Sequence, residues 1–290
     1  MDKIKDIKDK ISSIKRIQKI TKTMEMVSIS KMKKTKERMV NFKQYFNTIN
    51  SIIINTLSTY LDYDSLFLKK EEEYLENSVG FIILTTSKGL CGGLNNSLLR
   101  SAIDRIRLWT NSNKDVFIFI VGKKGYSFFS QLGYKVITAF DYLDEYLKIE
   151  DMFGFINIVV NTFCDKKVDS IYMLYNRYVN NVSSKVCLKR ILPLLNLNKN
   201  KKLYNNELWT YLYEPNSRVV LDTLLENYIY FQIYQGLIEN IACEQVFRRL
   251  SMKSATDNTF NILKDIQLIF NKIRQSSITQ ELTEIMCGVN

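Results

Sequence analysis

Apolar residues near the start of the chain recur at helical spacing. Ile4, Ile7, Ile11 and Ile14 follow a 3,4,3 rhythm, which is the seam of a coiled coil. Ile17, Ile20, Met24 and Val27 are expected to carry the stripe on, after one short step from Ile14 to Ile17. The first glycine is Gly80 and the first proline is Pro193, so nothing local stops this helix before about Tyr60. At 1.5 Å per residue it would reach roughly 87 Å, longer than a compact domain needs. The other end of the chain mirrors it. Pro215, Asn216 and Ser217 read as a helix start, and Gly236 is the only glycine from there to Met286. Ile262, Ile266, Ile269 and Ile273 repeat at 4,3,4 near the end of this segment, and Gly288 stands where a C-cap belongs. Three parts are therefore expected: a coiled-coil helix over 1–60, an α/β globular part over 79–194, and a second coiled-coil helix over 217–286.

The middle has a different rhythm. "VGFIILTT", "DVFIFIVG", "YKVITAF" and "VDSIYMLYNRYV" are short β-branched and aromatic runs, separated by helical stretches such as "NNSLLRSAIDRIRLW" and "DMFGFINIVVNTFC". Alternating strand and helix predicts an α/β layer on a largely parallel, Rossmann-like sheet. "SSKVCLKRILPL" adds an edge strand in hairpin fashion, and the polar run 196–207 reads as a loop. If the middle is a compact insertion, it brings the two terminal helices together antiparallel.

Charge changes the picture of the first helix. The chain of 290 residues carries a formal net charge of +11. Residues 1–60 hold 14 Lys and Arg against 5 Asp and Glu, a net of +9, whereas residues 211–290 hold 7 against 9, a net of −2. A basic helix admits a nucleic-acid reading, but the aromatic interleaving that stacks bases is missing from residues 1–40. There is no histidine, which removes the commonest general acid–base group and metal ligand. The five cysteines, Cys91, Cys164, Cys187, Cys243 and Cys287, are scattered without a Cys-x-x-Cys. Reduced, packing cysteines are the expectation, with no metal, no cofactor and no catalysis by this chain alone. The opening "MDKIKDIKDK" has neither the apolar core of a secretory signal nor the acid-poor make-up of a transit peptide. No apolar run approaches the ~20 residues that span a bilayer.

"TTSKGLCGGLNNSLL" follows a strand and precedes a helix, where a phosphate-binding glycine loop would lie. Its glycines, Gly89, Gly92 and Gly93, do not match the dinucleotide pattern, and no G-K-[ST] is present. A structural role fits better: a tight, exposed turn at the carboxyl end of the first strand, with Lys88 and Cys91 on its surface.

Three stretches, "IKRIQKITKTMEMVSISKMKK", "SKGLCGGLNNSLL" and "MKSATDNTFNILKDIQLIFNKIRQSSITQELTEI", resemble the signature regions of the gamma chains of F-type ATP synthases. The resemblance spans the whole length and the helix–α/β–helix order. It implies a central rotary stalk, a coiled coil entering a sleeve of three alpha and three beta chains, with the α/β part beside the epsilon chain and the membrane c-ring. It implies no chemistry in this chain: proton flow turns the ring, and the stalk biases each beta chain in turn. Met24, Arg274, Gln275, Thr279 and Glu281 match positions at the rotor–sleeve contact. Lys31, Lys33, Lys88 and Cys91 match surfaces facing an acidic loop of the beta chain. Ser87 stands where the family usually has Asp, and Thr23, Ser28 and Ile29 stand where Ala is common, which should make the bearing face slightly bulkier. No chloroplast-type cysteine insertion is present, so redox control is not expected. A bacterial chain on the cytoplasmic face of the inner membrane, held there only through partners, is the expected setting, and nucleic acid is not an expected partner.

Overall fold

The computed structural model describes residues 2–59, 67–68, 76–142, 148–194, 214 and 217–288. The polar run 196–207 and the expected helix start at Pro215 and Asn216 lie outside the described residues. Two helices, α1 (Asp2–Thr59) and α5 (Ser217–Gly288), flank an α/β layer. That layer runs β1 (Ser78–Leu84), α2 (Leu94–Asn111), β2 (Asp115–Val121), α3 (Lys123–Gln131), β3 (Val136–Phe140), α4 (Phe153–Cys164), β4 (Ser170–Tyr178) and β5 (Ser184–Leu192).

The strands form one sheet in the order β3-β2-β1-β4-β5. The pairs β1–β2, β1–β4 and β2–β3 are parallel, and β5 closes the edge antiparallel to β4. The inner strands are apolar on both faces because both faces are covered. On one side, α2 and α3 bury Leu98, Ala102, Ile106 and Phe129 against Phe81, Ile83 and Ile118. On the other, α4 and the base of the α1/α5 pair bury Ile53, Ile156, Ile229 and Leu237 against Ile82, Leu84, Phe119 and Met173. Gly236 allows the close crossing of α5 over β4, since a Cβ there would lie 2.4 Å from Met173 Cε.

Above the sheet the two helices run antiparallel. Phe46 stacks on Tyr228 at 5.2 Å between ring centroids, Phe42 meets Tyr234 edge-on at 5.0 Å, and Tyr228 donates to Asn50 Oδ1 at 3.1 Å. Farther out, Thr21 and Thr256 meet at 2.9 Å, and Lys8 Nζ sits 6.0 Å from the centre of the Phe270 ring. The long-range order of the pair is thus set by aromatic packing at the base and finer contacts toward the tip.

The seam differs from its expected course. Ile4, Ile7, Ile11 and Ile14 are half-buried, but the buried face then continues in strict 4,3 steps through Gln18, Thr21, Glu25 and Ser28 to Met32 and Thr35. Ile17, Ile20, Met24 and Val27 are exposed. A heptad seam keeps its face toward the partner only if the 3,4 alternation is unbroken; the short step to Ile17 would have rotated α1 away from α5. The same correction applies on α5. Ile266 and Ile273 are half-buried, but their seam companions are Leu263 and Phe270, while Ile262 and Ile269 are about half exposed.

Candidate partner-contact surfaces

The turn after β1 is built by hydrogen bonds that hold its backbone rather than by bulk. Thr85 Oγ1 lies 2.9 Å from the Val121 carbonyl and accepts from the Gly125 amide at 2.9 Å, tying the end of β1 to the start of α3. Thr86 Oγ1 donates to the Lys88 carbonyl at 2.7 Å and accepts from Asn95 Nδ2 at 2.7 Å. Leu90 and Gly92 take left-handed φ values of 65° and 59°, which fold the chain back sharply. The result exposes Lys88 and Leu90 and points Cys91 inward, where it packs with Leu94 and Cys243.

This burial corrects the expectation for Cys91. At 3% exposure it is not a surface residue, because the left-handed step at Leu90 exchanges the two side chains. Burial also pushes its thiol pKa up. Leu90, 57% exposed, occupies the outward position instead.

Beneath the turn lies a polar cluster that joins α5 to Tyr142, just after β3, and to the root of the turn. Arg248 of α5 donates to the Gly89 carbonyl from Nη2 at 3.1 Å and from Nε at 3.3 Å, and its Nη2 is 2.5 Å from Glu244 Oε1. The Tyr142 hydroxyl lies 3.2 Å from both the Thr85 carbonyl and Glu244 Oε2. Burial, then the neighbouring Glu244 charge, pushes the Tyr142 pKa well above its ordinary value, so it stays a donor. In open α/β sheets the carboxyl ends of strands at the reversal of strand order are the usual ligand crevice. Here that crevice, between β1 and β4, is filled by side chains of α5. Asp141, one residue before Tyr142, accepts from Ser87 Oγ at 2.5 Å, so a carboxylate stands beside the turn although residue 87 is a serine.

The remaining sequence-derived positions lie on the shaft. Met24 and Lys33 are exposed and Lys31 is half-buried. Of the three bulkier positions on α1, Thr23 and Ile29 are exposed, but Ser28 is buried in the seam and faces α5. Arg274, Gln275, Thr279 and Glu281 are exposed on the last part of α5. From Ile278 to Gly288 every residue of α5 is exposed, including Leu282, Ile285 and Met286. Ile17, Ile20, Met24 and Val27 add an apolar strip on α1. Each of the two stretches leaves apolar side chains uncovered at a separate level of the shaft, as at a protein contact. Among the described residues no cluster of Cys, Asp and Glu could hold a metal ion, and no helix is long and apolar enough to cross a membrane.

The family described as ATP synthase matches residues 3–290. The chain is 41% identical over 284 residues to the ATP synthase gamma chain of Legionella pneumophila (strain Corby), covering 98% of this chain and 97% of the relative. The chain belongs to the ATP synthase gamma-chain family. The gamma chain of Histophilus somni (strain 2336) is 40% identical over the same share. Among solved structures, the central stalk and c-ring of the Tetrahymena thermophila mitochondrial ATP synthase aligns with a TM-score of 0.60 at 25% identity, over 81% of this chain and 99% of that one. The rotor of the Euglena gracilis mitochondrial ATP synthase shares the fold, with a TM-score of 0.64 at 17% identity over 96% of this chain and 99% of that one. The antiparallel pair of terminal helices on a five-stranded α/β sheet is thus the fold of the family.

Proposed function

We propose that the chain is the rotor of a proton-translocating ATP synthase, turned by a membrane c-ring and working on three alpha and three beta chains, with an epsilon chain beside the α/β foot. The observation that carries this reading is the shaft. Two helices of 58 and 72 residues pair antiparallel, and the longer one ends in a bare stretch, Ile278 to Gly288, where apolar and polar side chains are interspersed on an exposed surface.

The mechanism needs no chemistry in this chain. A shaft whose two sides differ presents a different surface to each surrounding beta chain. Contacts that differ between the states of a beta chain shift its population among conformations of unequal nucleotide affinity, and rotation moves that bias to the next chain. Coupling is reciprocal, so ATP hydrolysis by the partners turns the shaft the other way. Met24, Ile17, Ile20 and Val27 on α1, and Arg274, Gln275, Thr279 and Glu281 on α5, form the bearing. Met suits a surface that meets three partners in turn, because its flexible thioether repacks at little cost. Lys33 and Lys88 face acidic partner surface. The complex works at the cytoplasmic face of a bacterial inner membrane, to which this chain is held only by its partners.

The test is co-expression with alpha and beta chains. A purified complex should hydrolyse ATP in a way that needs this chain for proton pumping once joined to the membrane sector. Pumping that survives its omission would defeat the reading.

A further inference from the structure

The turn Ser87–Gly93 borders an open cavity of about 340 Å³ on its outer side, lined by Asn95, Lys124 and Gln131 among others. On that side Asn95 is bonded to the turn, reaching Thr86 Oγ1 at 2.7 Å and the Cys91 thiol at 3.5 Å. On its inner side it meets α5 at three points, one of them the packing of Cys91 on Cys243. Arg248 holds the Gly89 carbonyl with two donors of its guanidinium, and Gly92 approaches Ser251 so closely that a Cβ would lie 2.8 Å from its Oγ. Arg248 is itself fixed: its side chain is 10% exposed and paired with Glu244, which is 2% exposed. Glu244 in turn meets the Tyr142 hydroxyl, which also reaches the Thr85 carbonyl at the root of the turn.

From this arrangement we propose that Arg248 is a positioning residue: it clamps the Gly89 carbonyl so that Lys88 and Leu90 are held outward and move rigidly with α5. Glu244 and Tyr142 are its struts. The fork of Arg supplies two directed donors to one carbonyl, where lysine supplies a point charge. Thr86 and the packing of Cys91 on Cys243 hold the flanks of the turn, so loss of the clamp loosens the stretch between them, around the Gly89 carbonyl and the left-handed step at Leu90. An angular movement of the shaft would then no longer reach a partner at Lys88. This last step rests on the rotor reading; the clamp itself does not.

Two measurements separate them. In the full-length chain alone, backbone hydrogen exchange of the 87–93 segment should quicken about tenfold in Arg248→Lys, the loss of a charge-assisted hydrogen bond, while α2 and α4 stay unchanged. In the complex with alpha and beta chains, carbodiimide should join Lys88 to partner carboxylates, a product absent in Lys88→Gln and severalfold weaker in Arg248→Ala at equal assembly. Unchanged exchange at 87–93, or acceleration spread evenly over α2 and α4, overturns the clamp, and Arg248→Lys keeps this arm readable if Arg248→Ala fails to fold. Absence of any Lys88-dependent product in the unsubstituted complex overturns the partner reading instead.

Discussion

The Thr256 hydroxyl lies 2.9 Å from Thr21 Oγ1 across the seam of the shaft, in the stretch where that seam turns polar. Each hydroxyl also lies within reach of a carbonyl of its own helix, Thr21 of Gln18 at 3.0 Å and Thr256 of Met252 at 2.9 Å, so the bond between the helices uses whichever proton turns to the other oxygen. A polar contact at a seam position selects one register of a coiled coil at some cost in stability. Thr21→Val and Thr256→Val should each destabilise the chain. The double variant should lose less than the two losses added, with a coupling of about 0.5–1.5 kcal/mol. Urea unfolding of the four chains measures it; strictly additive losses would mean that the two hydroxyls do not interact.

The seam separates neighbouring isoleucines. Ile266 is half-buried against α1, whereas Gln267 and Ile269 are exposed. Ile266→Asp should lower the stability of the isolated chain by up to roughly 1.5–3 kcal/mol from lost apolar burial alone, with charge desolvation adding to it. Gln267→Asp should be nearly silent. Ile269→Asp should also be mild in the isolated chain but should reduce the yield of complex with alpha and beta chains. Equal unfolding midpoints for Ile266→Asp and Gln267→Asp would place the seam elsewhere.

Much of the fold was legible. All five strands lie in the runs expected of them, because each run is apolar, β-branched and bounded by turn residues. The hairpin position of β5 at the edge was legible, but the order of the four parallel strands was not, since it depends on which face each crossover helix covers. The seam was half legible. Following the greasiest residues led from Ile14 to Ile17, but the unbroken rhythm leads to Gln18. Sequence hydrophobicity does not distinguish a face that meets α5 from a face left bare for another protein. The cluster of Tyr142, Glu244 and Arg248 was legible only in part: Glu244 and Arg248 are a helical pair four residues apart, but Tyr142 is 102 residues from Glu244 and nothing local joins them to it or to the glycine turn. A second local hint was the glycine turn itself, which needs something to hold its carbonyls.

Thiol chemistry checks the burial of the turn. Cys287 is exposed and should be alkylated first. Cys91 and Cys243 are buried, and burial pushes the Cys243 thiol up to about 12, so neither offers thiolate to a reagent. Maleimide labelling followed by peptide mapping should find both modified only after denaturant is added. Rapid labelling of Cys91 in the folded chain would contradict the inward turn at Leu90.

Glu239 gives the fold a defined pH dependence. Burial raises its carboxyl above the usual value of 4.5, while Arg177, a hydrogen bond from Gln235, Lys189 and Lys43 pull it back. Because the folded state holds this proton more tightly, the contribution to stability is full below the unfolded carboxylate pKa. It is lost as pH rises through the folded value. Lys189, lowered chiefly by burial, acts oppositely: its contribution is present above its unfolded pKa and lost as pH falls through the folded one. Glu239→Gln should remove the acidic part. Its urea midpoint should gain on that of the parent as pH is raised from 4 upward. Parallel curves for the two chains would show that Glu239 is solvated as freely as in the unfolded state.

The central claim is that this chain turns inside its partners. The most direct measurement fixes a complex with alpha and beta chains to a surface through the beta chains and follows a bead on the α/β foot. The bead is attached at Ser112→Cys in a Cys287→Ser background, since Ser112 is exposed and remote from the shaft and the turn. With ATP supplied, the bead should rotate in one direction with three dwells in each turn, one for each beta chain. A complex that hydrolyses ATP while the bead stays still would contradict the account.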